Sequence, residues 1–198
     1  MRALWVDAGN DPDWTKVLDN DIDTLYFALN DPRVTKQYLS QIAADGYGVG
    51  VYAVTNWPGF NQPSGTEFAN AVANKVAPIR VTNTFPRVQL DAEQHDPNFI
   101  SYMVKQWRLR MPYQATSWTL ESMQGGWMTP AMVQNVLSSR LRVVPQYYRG
   151  DMSPIAADVA LKDLIRKGFP ESIVTGFYDA ANLPQEWDGF AFTQGRLP

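Results

Sequence analysis

The chain has no cysteine, and its 198 residues include a single histidine, His95. Lack of cysteine excludes disulfides, thiolate nucleophiles and cysteine-ligated zinc. One loop histidine without a Gly-x-Ser-x-Gly segment leaves a serine-histidine-acid hydrolase without support, and the bland reading of His95 is a solvent-exposed loop residue. No apolar run approaches the ~18 residues needed to span a membrane. Met1-Arg2 leads directly into Ala3-Leu4-Trp5-Val6 and then Asp7, too short an apolar stretch for a signal peptide. The expectation is a protein that stays in the cytoplasm until lysis or is incorporated in a virion. No Lys/Arg run marks a nucleic-acid footprint. The 17 basic and 20 acidic residues are mixed along the chain, for a net charge of −3, so neither nucleic acid nor a membrane is an expected partner.

What remains is a globular composition, 45% hydrophobic and 19% charged, of a size for one domain over 1–198. Aromatics reach 13%, with seven Trp, which suits a core but also flat amphipathic contacts with sugars or proteins.

Strand-like runs recur along the chain: Ala3 to Ala8, Thr24 to Leu29, Gly48 to Thr55, Arg87 to Glu93, Tyr113 to Trp118, Leu141 to Tyr148, Ser172 to Tyr178 and Gly189 to Gln194. Helical stripes lie between them. A capping residue followed by Pro opens five: Asp11-Pro12, Asp31-Pro32, Asp96-Pro97, Thr129-Pro130 and Ser153-Pro154. Strands alternating with helices imply a parallel sheet. Eight strands imply a compact (β/α)8 TIM barrel of the α/β class, and the short chain implies helices short or missing near strands seven and eight. The alternative is an open doubly wound sheet, but no Gly-x-Gly-x-x-Gly follows the first strand.

Active sites of such barrels lie where the strands end. The first strand ends in Asp7, with Ala3 and Trp5 on the same face. The fourth carries Gln89, Asp91 and Glu93 on one face and Val88, Leu90 and Ala92 on the other. Two acids on a strand cost free energy unless solvated or paired, so they mark either an exit to water or the floor of a polar pocket. Around the same mouth come Tyr52 and Trp57, then Trp118, Gln146, Tyr148, Tyr178, Asp179 and Gln194. Gly48 and Gly50 share a face with Tyr52 and leave room inside a tight sheet. Three acids with Tyr, Trp and Gln suit a carbohydrate, because paired carboxylates in unlike environments divide into acid and base. An acid cluster can also take Mg²⁺ or Ca²⁺; the preferred reading needs no cofactor and no metal. Trp57, Phe60, Trp118 and Trp127 stand in or near mouth-side loops, where they either stack on sugars or pack the loops down.

These pieces together resemble glycoside hydrolase family 25, the lysozyme (muramidase) barrels of bacteria and their phages. The resemblance rests on Val6-Asp7, Leu90-Asp91-Ala92-Glu93, Gly48-Val49-Gly50-Val51-Tyr52 and Phe192-Thr193-Gln194, and follows element order through the chain. It implies Glu93 as general acid, Asp91 and Asp7 as groups that stabilise or orient the sugar, and the peptidoglycan glycan as substrate. The chain departs from that pattern after Gln194, where no acid follows, and at Val6-Asp7-Ala8-Gly9-Asn10, where the family has a longer Gly-x-Asp-x-Ser segment. The alternative function is therefore a non-catalytic structural or adhesion module, such as a minor tail or surface protein of a phage particle, with other virion proteins as partners.

Overall fold

Eight runs rich in branched and aromatic residues form parallel strands in a computed structural model. It describes residues 2–79, 87–92, 94–120, 127–147, 162–170, 177–178 and 190–193; at 2, 120, 145–147, 177–178 and 190–193 it describes the backbone. The strands are β1 (Arg2–Val6), β2 (Thr24–Ala28), β3 (Gly48–Val54), β4 (Arg87–Asp91), β5 (Thr116–Leu120), β6 (Arg142–Tyr147), β7 (Phe177–Tyr178) and β8 (Phe190–Thr193). Between them run helices α1 (Trp14–Asp19), α2 (Lys36–Ala44), α3 (Gly65–Val76), α4 (Pro97–Arg110) and α5 (Pro130–Ser138), with further helical residues at 162–166. The strand order is β7-β6-β5-β4-β3-β2-β1-β8, and every described ladder is parallel. This is an α/β, TIM-barrel-like sheet. The two ends of the order, β7 and β8, lie near each other, although no ladder joins them among the described residues. The expected short or missing helix before β8 falls in 179–189, outside the described residues.

The sheet curls. On a flat sheet β1 and β4 would stand three spacings, roughly 14 Å, apart. Yet Trp5 Nε1 donates to Gln89 Oε1 at 2.8 Å, and Gln89 Nε2 donates to Thr119 Oγ1 of β5 at 2.6 Å. The same concave face gathers Ala3, Trp5, Tyr26, Ala28, Tyr52, Val54 and Val144 into a core with no helix residue in it. The other face, carrying Leu4, Val6, Leu25, Phe27, Val51, Val88, Leu90, Trp118 and Val143, packs against the helices. Period-two alternation thus splits each strand between two cores. Gly50 faces inward, and the room it leaves is filled: a Cβ there would collide with the Tyr26 ring.

Helix starts follow their caps. Asp96 accepts from the Asn98 N–H, with Pro97 in the first turn, and Thr129 accepts from the Met132 N–H ahead of α5. Asp11-Pro12 and Asp31-Pro32 do not open helices. Asp13 caps α1 and Thr35 caps α2, because the side chain of Asp31 is committed to a loop clasp. Ser153-Pro154 lies outside the described residues. Ser64 caps α3, and a Cβ on the next residue, Gly65, would strike the Phe99 carbonyl of α4, so the two helices meet backbone to backbone.

The fifth strand sits later than Tyr113 to Trp118. Tyr113 is 97% exposed, in a turn closed by the Gln114 N–H on the Met111 carbonyl at 3.2 Å. Arg108 holds that turn. Its Nη1 reaches the carbonyls of Met111, Pro112 and Gln114, at 3.3, 3.3 and 2.8 Å, while Nε donates to Ser139 and Nη2 to Arg140 at 3.1 Å. One guanidinium therefore satisfies carbonyls at the ends of both α4 and α5. Burial, then the nearby charge of Arg140, lowers its pKa without discharging it. Arg108→Ala is expected to cost about 2–4 kcal/mol of unfolding free energy in denaturant titration. Arg108→Lys should restore less than half of that, since a lysine cannot fork to two helix ends; full recovery by Lys would show that charge alone matters.

Candidate active site at the strand exits

Asp7, the residue after β1, is exposed, and its carboxylate Oδ1 accepts from the Tyr52 hydroxyl at 3.1 Å. The same hydroxyl lies 3.4 Å from the Val6 carbonyl. Its ring is 1% exposed, stacked on Trp5 (centroids 4.6 Å apart, planes 14°) and tilted against half-buried Trp57 at 5.1 Å. Burial pushes the Tyr52 phenol far above its ordinary value; the charge of Asp7, its hydrogen bond and the charge of Asp91 push the same way. Tyr52 is thus a permanent neutral donor aimed at Asp7, rather than an open sugar-binding surface.

Asp91, the last residue of β4, is 3% exposed, paired in register with Val54 of β3 and Thr119 of β5. Its carbonyl accepts from the Thr55 N–H at 3.0 Å. Just inside lie Gln89, Trp5 and Thr119, all buried and joined by the hydrogen bonds given above. Asp7 therefore follows β1 and Asp91 ends β4, with Tyr52 of the intervening β3 bonded to Asp7.

Trp118 is not brought to this group. Its side chain is fully buried on the helix side, where the one-residue alternation of β5 sends it while Ser117 and Thr119 face inward. Its Nε1 donates to the Ala92 carbonyl at 3.2 Å, so it anchors the backbone between Asp91 and Glu93 instead of offering a face to ligand. Phe60 likewise packs into the core, against Phe68 at 6.4 Å. Gln146 and Tyr178 are placed by backbone alone, at the paired ends of β6 and β7. Glu93, Tyr148, Asp179 and Gln194 lie outside the described residues.

Sequence reasoning missed the device that fixes the turn after Asp7. Buried Asp31 accepts from the Gly9 N–H at 2.8 Å and the Arg33 N–H at 2.9 Å, and is gripped by the Arg33 guanidinium at 2.7–3.1 Å. Arg33 in turn reaches the Asn10 carbonyl at 2.8 Å and Asp11 at 3.0 Å. The signal was the acid of Asp31-Pro32, masked by its likeness to a helix cap. Trp5 and Gln89 were readable in principle, since they share faces with Asp7 and Asp91. Among the described residues no group of three or more His, Asp or Glu is placed to hold a metal ion, and no helix is long and apolar enough to cross a membrane.

Fold and site together define a TIM-barrel-like protein with acids and aromatics at its strand exits. No protein-family model and no curated protein matches the chain. Solved structures do. A GH18 chitinase from Pseudoalteromonas aurantia matches with TM-score 0.65 and 14% identity, over 98% of this chain and 93% of that one. The ICChI chitinase from Ipomoea carnea matches at 0.52 and 11%, over 96% and 93%. A protein assigned as a fructose-1,6-biphosphate aldolase from Coccidioides immitis matches at 0.53 and 10%, over 98% and 73%. At these identities the likeness is one of fold.

Two stability predictions follow from the shifted groups. A phenol raised by burial contributes stability that is complete below its ordinary value of about 10 and is lost as pH rises above it. Unfolding free energy should therefore fall between about pH 10 and 12, with a shallower fall in Tyr52→Phe, measured by denaturant titration; equal slopes would remove Tyr52 from the account. For Asp31 the sign is opposite. The hydrogen bonds of Arg33 hold its carboxyl far below the usual range, so its stability is present above about pH 4 and is lost on further acidification. Asp31→Asn should be less stable at neutral pH and lose less between about pH 5 and 2.

Proposed function

We propose that the chain is a glycoside-hydrolase-type barrel, closed as (β/α)8, that acts on cell-wall glycan of the amino-sugar kind. Glu93 is the general acid, and Asp91 and Asp7 assist by stabilising positive charge on the sugar or orienting its substituents. The observation that carries this reading is the hydrogen bond of the buried Tyr52 phenol on Asp7 at the exit of β1, with Asp91 ending β4, next to the Tyr52 strand, and Glu93 two residues further on. Acids held against buried aromatics are the setting in which two carboxyls take different roles. The chitinase neighbours support a glycan as ligand class. The protein reaches its substrate after lysis or as part of a particle.

A second reading, the non-catalytic module of a phage particle, is favoured by one observation: Asp91 is almost wholly buried. One assay separates the two. Purified protein incubated with peptidoglycan and chitin should release reducing ends, and Glu93→Gln should cut the rate by about 10²–10⁴-fold with little change in Tm. No turnover on either glycan, with the protein recovered in stoichiometric amounts from particles, would establish the module instead.

A further inference from the structure

Among the described residues, two buried polar atoms near the exits of β4 and β5 lack a hydrogen-bond partner: Gln94 Oε1 and Trp127 Nε1. One is an acceptor, the other a donor. Between Gln94 and Asp96 stands His95, exposed, with its imidazole parallel to the Trp127 indole (centroids 5.3 Å, planes 16°). Trp127 is itself half-buried and edge-on to Trp118 at 6.3 Å, the residue that pins the Ala92 carbonyl. The group is thus tied to the backbone on which Asp91 and Glu93 are carried.

We propose that Trp127 is a sugar-stacking subsite for which His95 serves as an exchangeable cover. A pyranose ring takes the place of the imidazole on the indole face. Its hydroxyls then accept from Trp127 Nε1 and donate to Gln94 Oε1. An exposed imidazole held by one ring contact is easily displaced, since it regains water on leaving. Buried donors and acceptors without partners are rare and costly, and a polyhydroxylated ring supplies both kinds of partner together with an apolar face. A purely apolar ring would satisfy the stack and neither polar atom. The inference rests on the glycan reading above and deepens it, by placing a sugar on the β4–β5 side of the mouth.

The test is binding, separated from turnover. In full-length Glu93→Gln protein, tetra-N-acetylchitotetraose is titrated while tryptophan fluorescence and heat are followed. Trp127→Phe, which keeps an aromatic ring but lacks the N–H, should weaken binding about tenfold, and Trp127→Ala further. His95→Ala, at an exposed position, should bind as well as or better than the parent. Parent-like affinity in both Trp127 variants, or a large loss in His95→Ala, overturns the subsite and leaves the glycan reading standing. Absence of binding by the parent overturns both. Trp127-dependent binding in a protein whose Glu93 form hydrolyses nothing upholds the subsite and removes the catalytic reading.

Discussion

The hydrogen-bonded chain from Trp5 through Gln89 to Thr119 is the constraint on which the rest of this structure depends. All three side chains are buried, where an unpaired polar atom costs about 1–3 kcal/mol. Gln89 spends its amide oxygen on one neighbour and its amide nitrogen on the other. Thr119 lies on neighbouring β5, but Trp5 comes from β1, three strands away, so the amide oxygen reaches its partner only because the sheet curls. The curl then stacks Tyr52 on Trp5 and aims its hydroxyl at Asp7. A leucine at Gln89 would fill similar space but strand an indole N–H and a hydroxyl in the interior.

The main chain that carries the acids is fixed by tertiary bonds. Asp7 reaches water, but the turn after it is pinned at Gly9 and Asn10 by Asp31 and Arg33. Asp91 is buried, and the residue after it is pinned by the Trp118 N–H. This arrangement leaves carboxylate oxygens of Asp7 available at the mouth while the main chain that carries them stays fixed. Tyr52 adds a buried donor to Asp7 Oδ1, and burial holds its phenol far above the ordinary value.

Strand parity was the most legible feature of the sequence. The shared face of Trp5 and Asp7, the shared face of Gln89 and Asp91, and the small residues beside Tyr52 all follow from alternation alone, and the folded chain uses each. Errors arose where local chemistry has two uses. Asp31-Pro32 has the composition of a helix start, yet a buried carboxylate beside an arginine and a free N–H is better satisfied there than at a cap. Tyr113 looks like the head of a strand, but the carbonyls around it are claimed by Arg108, thirty residues of chain away from its other partners at Ser139 and Arg140. Trp118, expected at the mouth, is turned by the alternation of β5 into the core on the helix side. None of these outcomes can be read from a window of ten residues, because the competing partner is tertiary.

Fold alone does not choose the chemistry: the same architecture is shared with two chitinases and with a protein assigned as an aldolase. The residues at the strand exits must decide. Amine chemistry by Schiff base needs a lysine that reaches the mouth; among the described residues, Lys16, Lys36, Lys75 and Lys105 stand on helices. Among the described residues, Asp7 and Asp91 stand at the exits of β1 and β4, with Tyr52 and Trp57 beside the exit of β3. Trp5, Tyr52 and Gln89 are buried on the concave face of the sheet. Aromatic faces bind the apolar side of a sugar ring while carboxylates meet its hydroxyls and the charge that develops as a glycosidic bond breaks.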